Sequence, residues 1–303
     1  HLPTCLESLQ RQTYPQVEVI VADNGSTDGS LDLLARDYPA VRVLALGRNL
    51  GFTGACNAGM QAARGDLVIL LNNDTEADPE WLEEVVAAFQ RHPEVGIVAS
   101  KMPLFDQRDT VHTAGDVYRT DGVPGNRGVW QKDTGQYDAE EYVFSACGGS
   151  AAYRKAMLEQ VGLLDEDFFY SCEDLALAWR AQLTGWRCVY APRAIVYHKL
   201  SATGGGVTAS FHDGRNFIYL LAKDDPGDLW RLHWRAVLRA QLRLAWEALR
   251  AWRGAAARAR LRGMLAGLLG TPRMLPKRRA VQRSRTVDRS YLESILAGVD
   301  ERL

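Results

Sequence analysis

Four short clusters in this chain of 303 residues have the side-chain types that binding or proton transfer would need. Asp23-Asn24-Gly25-Ser26 follows the β-branched run Val17–Ala22, and Asn72-Asn73-Asp74 follows the apolar run Leu67–Leu71. Each therefore places a carboxylate just past the end of a strand, where open α/β sheets bind ligands. Glu173-Asp174 is a carboxylate pair, and His198 closes a later strand-like run. Oxygen donors suit a hard divalent cation, and a carboxylate can also take a proton. Each cluster has an ordinary alternative. Asp23 fits an Asx-turn or helix cap, Asn72–Asp74 a strand-end turn, and Glu173-Asp174 an acidic helix start that offsets the macrodipole. His198 could be simply structural.

The elements that must hold these clusters alternate as in a wound α/β domain. Helical patterns cover Leu2–Gln12, Asp28–Tyr38 and Gly51–Arg64, then the stretch from Pro79 to Arg91, and Glu173–Thr184. Strands are expected at Val17–Ala22, Val41–Leu46, Leu67–Leu71, Val95–Ala99, Arg187–Tyr190 and Ala194–Tyr197. No Gly-x-Gly-x-x-Gly follows a strand, which argues against a plain dehydrogenase. Residues 101–142 are irregular and rich in Gly, Asp and Thr, so they read as loops and short strands shaping a second subsite. Cys147-Gly148-Gly149-Ser150 allows close backbone approach. Trp179 and Arg180 read as packing.

The balance of 36 basic and 37 acidic residues hides an asymmetry. From Asp228 to Arg285 there are fourteen Arg and one Lys against two acids, net +13, so the remainder carries −14. Five cysteines without Cys-x-x-Cys spacing read as reduced thiols of a cytoplasmic protein. No run reaches the roughly 18 apolar residues of a membrane span. The chain opens at His1 inside a helical pattern and is read as a piece lacking a first strand.

Three segments, VIVADNGSTDGS, GRNLGFTGACNAGMQAARGDLVILLNNDT and FFYSCEDLALAWRAQLTGWRCVYAPRAIVYH, resemble the inverting family 2 glycosyltransferases of GT-A fold, most closely their rhamnosyltransferase-like branch. The resemblance spans roughly residues 1–200. It implies an α/β, Rossmann-like nucleotide-binding domain with a mixed central sheet over residues 1–209, followed by a helical, Arg-rich region over residues 210–303. It further implies that Asp23, with Asn24, Gly25 and Ser26, contacts the nucleobase or ribose of a sugar nucleotide. Asn49, Gly51 and Asn57 would face the same nucleotide. Asn72-Asn73-Asp74 stands where the family has Asp-x-Asp, so Asp74, completed by His198, would hold Mn²⁺ or Mg²⁺ on the donor diphosphate. Asp174 matches the base that takes the acceptor proton, and Glu173 would orient acceptor or base. Where the family's pattern continues with an Asp, this chain has Ala176.

The implied activity is metal-dependent, inverting sugar transfer, with rhamnose the first donor to consider, onto a glycan or lipid-linked acceptor of cell-envelope polysaccharide. A non-catalytic nucleotide- or carbohydrate-binding scaffold at the membrane surface is the alternative. In the tail, Trp230, Trp234, Leu238, Leu242, Trp246 and Leu249 run beside Arg231, Arg235, Arg239 and Arg243. This pattern suits an anionic membrane surface, a lipid-pyrophosphate acceptor or packing on the acidic body; peripheral attachment at the inner face of the membrane is the preferred reading. No nucleic-acid module is recognisable.

Overall fold

The computed structural model describes residues 1–199 and 205–299. The first half alternates as its periodicity requires: α1 (Leu2–Gln10), β1 (Ile20–Asp23), α2 (Ser30–Asp37), β2 (Arg42–Ala45), α3 (Gly51–Ala62), β3 (Leu67–Leu71), β4 (Thr75–Ala77), α4 (Trp81–Arg91) and β5 (Val95–Pro103). The irregular middle holds four three-residue strands, β6 (Val111–Thr113), β7 (Asp116–Tyr118), β8 (Pro124–Asn126) and β9 (Glu141–Val143). Then come β10 (Ser150–Arg154), α5 (Lys155–Val161), α6 (Glu173–Leu183) and β11 (Arg187–His198). Two strands expected at residues 187–197 are one: β11 continues through a register shift between Ala191 and Ile195, where Pro192 cannot donate to the ladder.

The central sheet runs β3-β10-β5-β11-β4, with β6 on β5 and β9 on β11. It is mixed: β10 lies antiparallel between β3 and β5, while β5 and β11 are parallel. All nine residues of β5 are buried, as a central strand covered on both faces requires. This arrangement brings the carboxyl ends of β3 and β11 and the entry to β10 to one edge of the sheet. Asn72 after β3 thus donates its backbone N–H to Gly149 O just before β10. β1 and β2 form a separate parallel pair, and residues of β1 and β3 line one cleft of about 1490 Å³ without pairing to each other.

α4 seals one face through Trp81, Leu82, Val85, Ala88 and Phe89. On the other, Trp179 packs edge-on against Tyr118 and Phe144 with ring centroids 5.1 and 5.0 Å away. The four last helices are α7 (Gly206–Lys223), α8 (Gly227–Arg250), α9 (Ala255–Arg283) and α10 (Arg289–Ile295). α7 and α9 touch backbone to backbone: a Cβ on Gly263 would lie 2.0 Å from Phe211 O. Residues on both sides of position 209 share one core. Tyr219, Leu220, Leu229, Met274, Val281 and Leu292 belong to the cluster that contains Phe168 and Trp179. Buried Lys223 also ties α7 to Asp165 at 2.7 Å.

Candidate active site

Asp74 and His198 meet because β4 pairs antiparallel with β11, setting His198 opposite Thr75. The turn after β3 is closed by Thr75 Oγ1 donating to Asn72 O at 2.6 Å, which fixes the buried Asp74 at the sheet edge. His198 Nε2 stands 3.2 Å from Asp74 Oδ1, and His198 Nδ1 stands 3.2 Å from Nδ1 of His112 on β6. Burial and the neighbouring His198 push the His112 imidazole down to about 3, so it stays neutral. A carboxylate oxygen and an imidazole nitrogen side by side, the ring steadied from behind, are donors that suit a divalent cation. Asn72 and Asn73 line the same cleft.

The second acidic group is built on strained backbone. Phe169, Ser171 and Cys172 have φ of 62°, 69° and 66°, a left-handed conformation that costs non-glycine residues energy. α7 holds them there. Asn216 Nδ2 donates to Phe168 O, Tyr170 O and Ser171 O at 3.1, 2.8 and 2.7 Å, and Ser171 Oγ donates to Asp213 Oδ1 at 2.7 Å. The chain then enters α6 at Glu173, so the carboxylate pair does begin a helix, and it also faces the cleft. Asp174 Oδ2 accepts from Gly148 N at 2.8 Å and Oδ1 from Leu175 N at 2.7 Å. A Cβ on Gly148 would crowd Glu173 Oε1 at 3.3 Å and Asp174 Oδ2 at 3.4 Å.

Sequence reasoning missed a third acid. Asp116 starts the β7–β8 hairpin and is buried, its Oδ1 accepting from Thr113 Oγ1 at 3.0 Å and Asn126 Nδ2 at 2.8 Å. Carboxylate oxygens of Asp116 and Asp174 and the Cys147 sulfur lie within 4.8 Å of one another. Among the described residues no Lys, Arg or His pairs with Asp116, Glu173 or Asp174. Burial therefore raises all three carboxyls, and the Asp174 charge pushes Asp116 and Glu173 further up. In Asp174 the two backbone N–H donors oppose that rise, as Thr113 and Asn126 do in Asp116. His112, Asp213 and Asn216 were missed as well.

Of the residues expected to face a nucleotide, Asp23, Asn24, Ser26, Asn49 and Gly51 border the cleft. Asp23 Oδ2 accepts from Gly25 N and Ser26 N, both at 3.2 Å, which is the Asx-turn alternative realised. Asn24 bridges the first loop to the second, donating to Asn49 Oδ1 and Gly51 O and accepting from Leu50 N at 2.7 Å. Gly51, at φ +77°, leaves no room for a side chain: a Cβ would lie 2.5 Å from the Phe169 ring. Gly25, at φ +83°, forms the turn. Asn57 is buried, exchanging hydrogen bonds with the Leu164 backbone at 2.9 and 3.0 Å and donating to Glu166, so its amide anchors that loop.

A family model described as "Glycosyl transferase family 2" matches residues 1–162. The chain belongs to this family. It is 30% identical over 269 residues to an N-acetylglucosaminyl-diphospho-decaprenol L-rhamnosyltransferase of Mycobacterium tuberculosis, covering 80% of this chain and 87% of that relative. Among solved structures, GalNAc-T7 with UDP, GalNAc and Mn²⁺ superposes at TM-score 0.58 and 16% identity, over 73% of this chain and 45% of that one. A mannosyltransferase of Pyrobaculum calidifontis with GDP-Man and Mn²⁺ superposes at TM-score 0.55 and 16% identity, over 97% and 79%. The protein is a glycosyltransferase of the inverting class with a GT-A-like fold. Asp174 and His198 lie beyond the residues matched by the family model.

Proposed function

We propose that this glycosyltransferase moves a sugar from a nucleoside diphosphate donor to a hydroxyl of a glycan or lipid-linked acceptor in cell-envelope polysaccharide synthesis. The observation that carries the reading is the pairing, in one cleft, of Asp74–His198 with a partly exposed Asp174 held by two backbone N–H groups. Asp174 accepts the acceptor's hydroxyl proton while that oxygen bonds to the anomeric carbon; the bond from that carbon to the phosphate oxygen breaks, and the nucleoside diphosphate leaves from the opposite face. Glu173 and Asp116, whose carboxyls burial and the Asp174 charge push up, flank the acceptor side. Asp74 and His198 would hold Mn²⁺ or Mg²⁺, whose positive charge offsets that of the diphosphate leaving group. Asp23, Asn24 and Asn49 form the wall against which the nucleoside lies.

The rhamnosyltransferase relative makes dTDP-rhamnose the first donor to test, with UDP-sugars next. The deciding experiment measures thermal stabilisation by dTDP, UDP and GDP with and without Mn²⁺, followed by transfer from the matching sugar nucleotide. A selective, Mn²⁺-dependent shift with turnover is expected; no shift and no turnover with any of the three would overturn the reading. A cytoplasmic position at the inner face of the membrane completes it.

A further inference from the structure

α8 is packed on one face only. Leu229, Val237, Ala240 and Ala248 are buried against the body, while the steps of four residues from Trp230 through Trp234, Leu238 and Leu242 to Trp246 leave a row open to solvent. Trp246 is 60% exposed and Leu242 61%, and Trp252 continues the row at 59%. Packing against the acidic body, one of the three readings of the tail, therefore does not account for these side chains. The neighbouring α9 adds exposed Leu265, Leu268 and Leu269. Isolated exposed apolar residues need no explanation, but a continuous row of Trp and Leu does.

Beside that row runs a second one of Arg231, Arg235, Arg239 and Arg243, all exposed. Among the described residues only Arg243 reaches a carboxylate, Asp121 at 3.8 Å, while Asp228 of the same helix is occupied by Arg285. Arg235 lies over the Trp234 ring, 5.4 Å from its centroid. No described helix is long and apolar enough to cross a membrane. A helix of 24 residues lying flat offers a strip about 36 Å long.

We infer that the outer face of α8 docks on an anionic lipid bilayer. The Trp and Leu side chains enter the interface and the Arg row meets lipid phosphates. Trp suits the headgroup level because its ring is amphipathic, and each Arg near an anionic surface adds about 1 kcal/mol. A second copy of the chain is the poorer occupant, because a two-fold contact would set like-charged Arg rows against each other, and α8 brings only Asp228, already held by Arg285, and Glu247 to offset them. α7, which lines the cleft through Asp213 and Phe217, leads into α8, so the docking helix is joined to a wall of the cleft by a short turn. Its use in reaching a lipid-linked acceptor rests on the proposed transferase reading; the docking does not.

The test is flotation of the full chain with vesicles of phosphatidylcholine alone and of phosphatidylcholine with phosphatidylglycerol, at low and high salt. Binding to the anionic vesicles, weakened by salt, is expected. Reversing two charges with Arg235→Glu and Arg239→Glu should lower affinity at least about 30-fold, and Trp234→Ser with Trp246→Ser at least about tenfold. Equal binding to both vesicles, or none, overturns the inference. So does a concentration-dependent dimer that these variants dissolve, which would make the face a self-interface. All variants are exposed, and transfer to a water-soluble acceptor should be unchanged in them. Vesicle binding lost with transfer intact removes only the docking; vesicle binding intact with no transfer from any sugar nucleotide removes only the transferase reading.

Discussion

Two acidic groups border the cleft, and their neighbours give them opposite characters. Asp74 has an imidazole nitrogen 3.2 Å from its carboxylate, and a second, neutral histidine stands behind that ring. Asp174 shares its surroundings with Asp116, Glu173 and the Cys147 thiol, and only backbone N–H groups favour its charge. On the proposed reading the same side-chain type shares its oxygens with a cation in one place and gains a proton in the other. The largest test of this contrast is Asp174→Asn. Turnover should fall about 1,000-fold, within the range of general-base losses, while Mn²⁺-dependent stabilisation by nucleotide is retained. In the unsubstituted enzyme kcat/KM should fall as pH drops through the Asp174 value, which burial sets above the ordinary range of an aspartate. Turnover preserved in the variant would move the base elsewhere.

The half of this contrast that sequence could show is the half written in local patterns. Leu67–Leu71 is bounded by Gly65 and by polar Asn72, so β3 has its expected limits, and Asp74 could be placed from them. His198 closes an apolar run within a segment that carries the family resemblance. Asp116 was hidden for a physical reason: it begins a strand of three residues, too short to display an alternation, in a stretch whose order comes from contacts with distant elements. Asn216 acts on a loop 45 to 48 residues earlier, and His112 on His198 across 86 residues. Neither separation leaves a periodic trace. Asn57 shows the converse case, since a polar residue on a small-residue helix can serve a neighbouring loop as readily as a ligand, and its amide does bond the Leu164 backbone.

Asp74→Ala attacks the other group. With nucleotide and Mn²⁺ at 100 times their dissociation constant, the native protein should gain about 2.7 kcal/mol, and the variant should lose the metal-dependent part of that gain. An undiminished shift would show that the cation binds without Asp74. His112→Phe keeps a ring of similar size and removes the hydrogen-bond partner of His198 Nδ1. Outer-shell partners of this kind are worth about 10- to 100-fold in metal affinity, so the Mn²⁺ concentration giving half-maximal stabilisation should rise by that factor. No change would mean that His198 is oriented by β11 alone.

The smallest expected effect is the sharpest, because it separates a proton-holding carboxyl from a proton-taking one. If Asp116 stays protonated when Asp174 ionises, Asp116→Asn replaces a neutral acid by a neutral amide of nearly the same shape. Thr113 Oγ1 and Asn126 Nδ2 can still donate to its oxygen. Activity should remain within about threefold, and the acid limb of kcat/KM should stay where it was. Asp116→Ala, by contrast, takes the acceptor from half-buried Asn126 Nδ2, while Thr113 Oγ1 keeps Gly115 O, and should cost about 1 kcal/mol of stability, read in thermal or denaturant unfolding. A loss in Asp116→Asn as large as in Asp174→Asn, with stability unchanged, would reverse the assignment. Asp116 would then be the group that ionises, and the backbone donors around Asp174 would serve the start of α6 rather than the reaction.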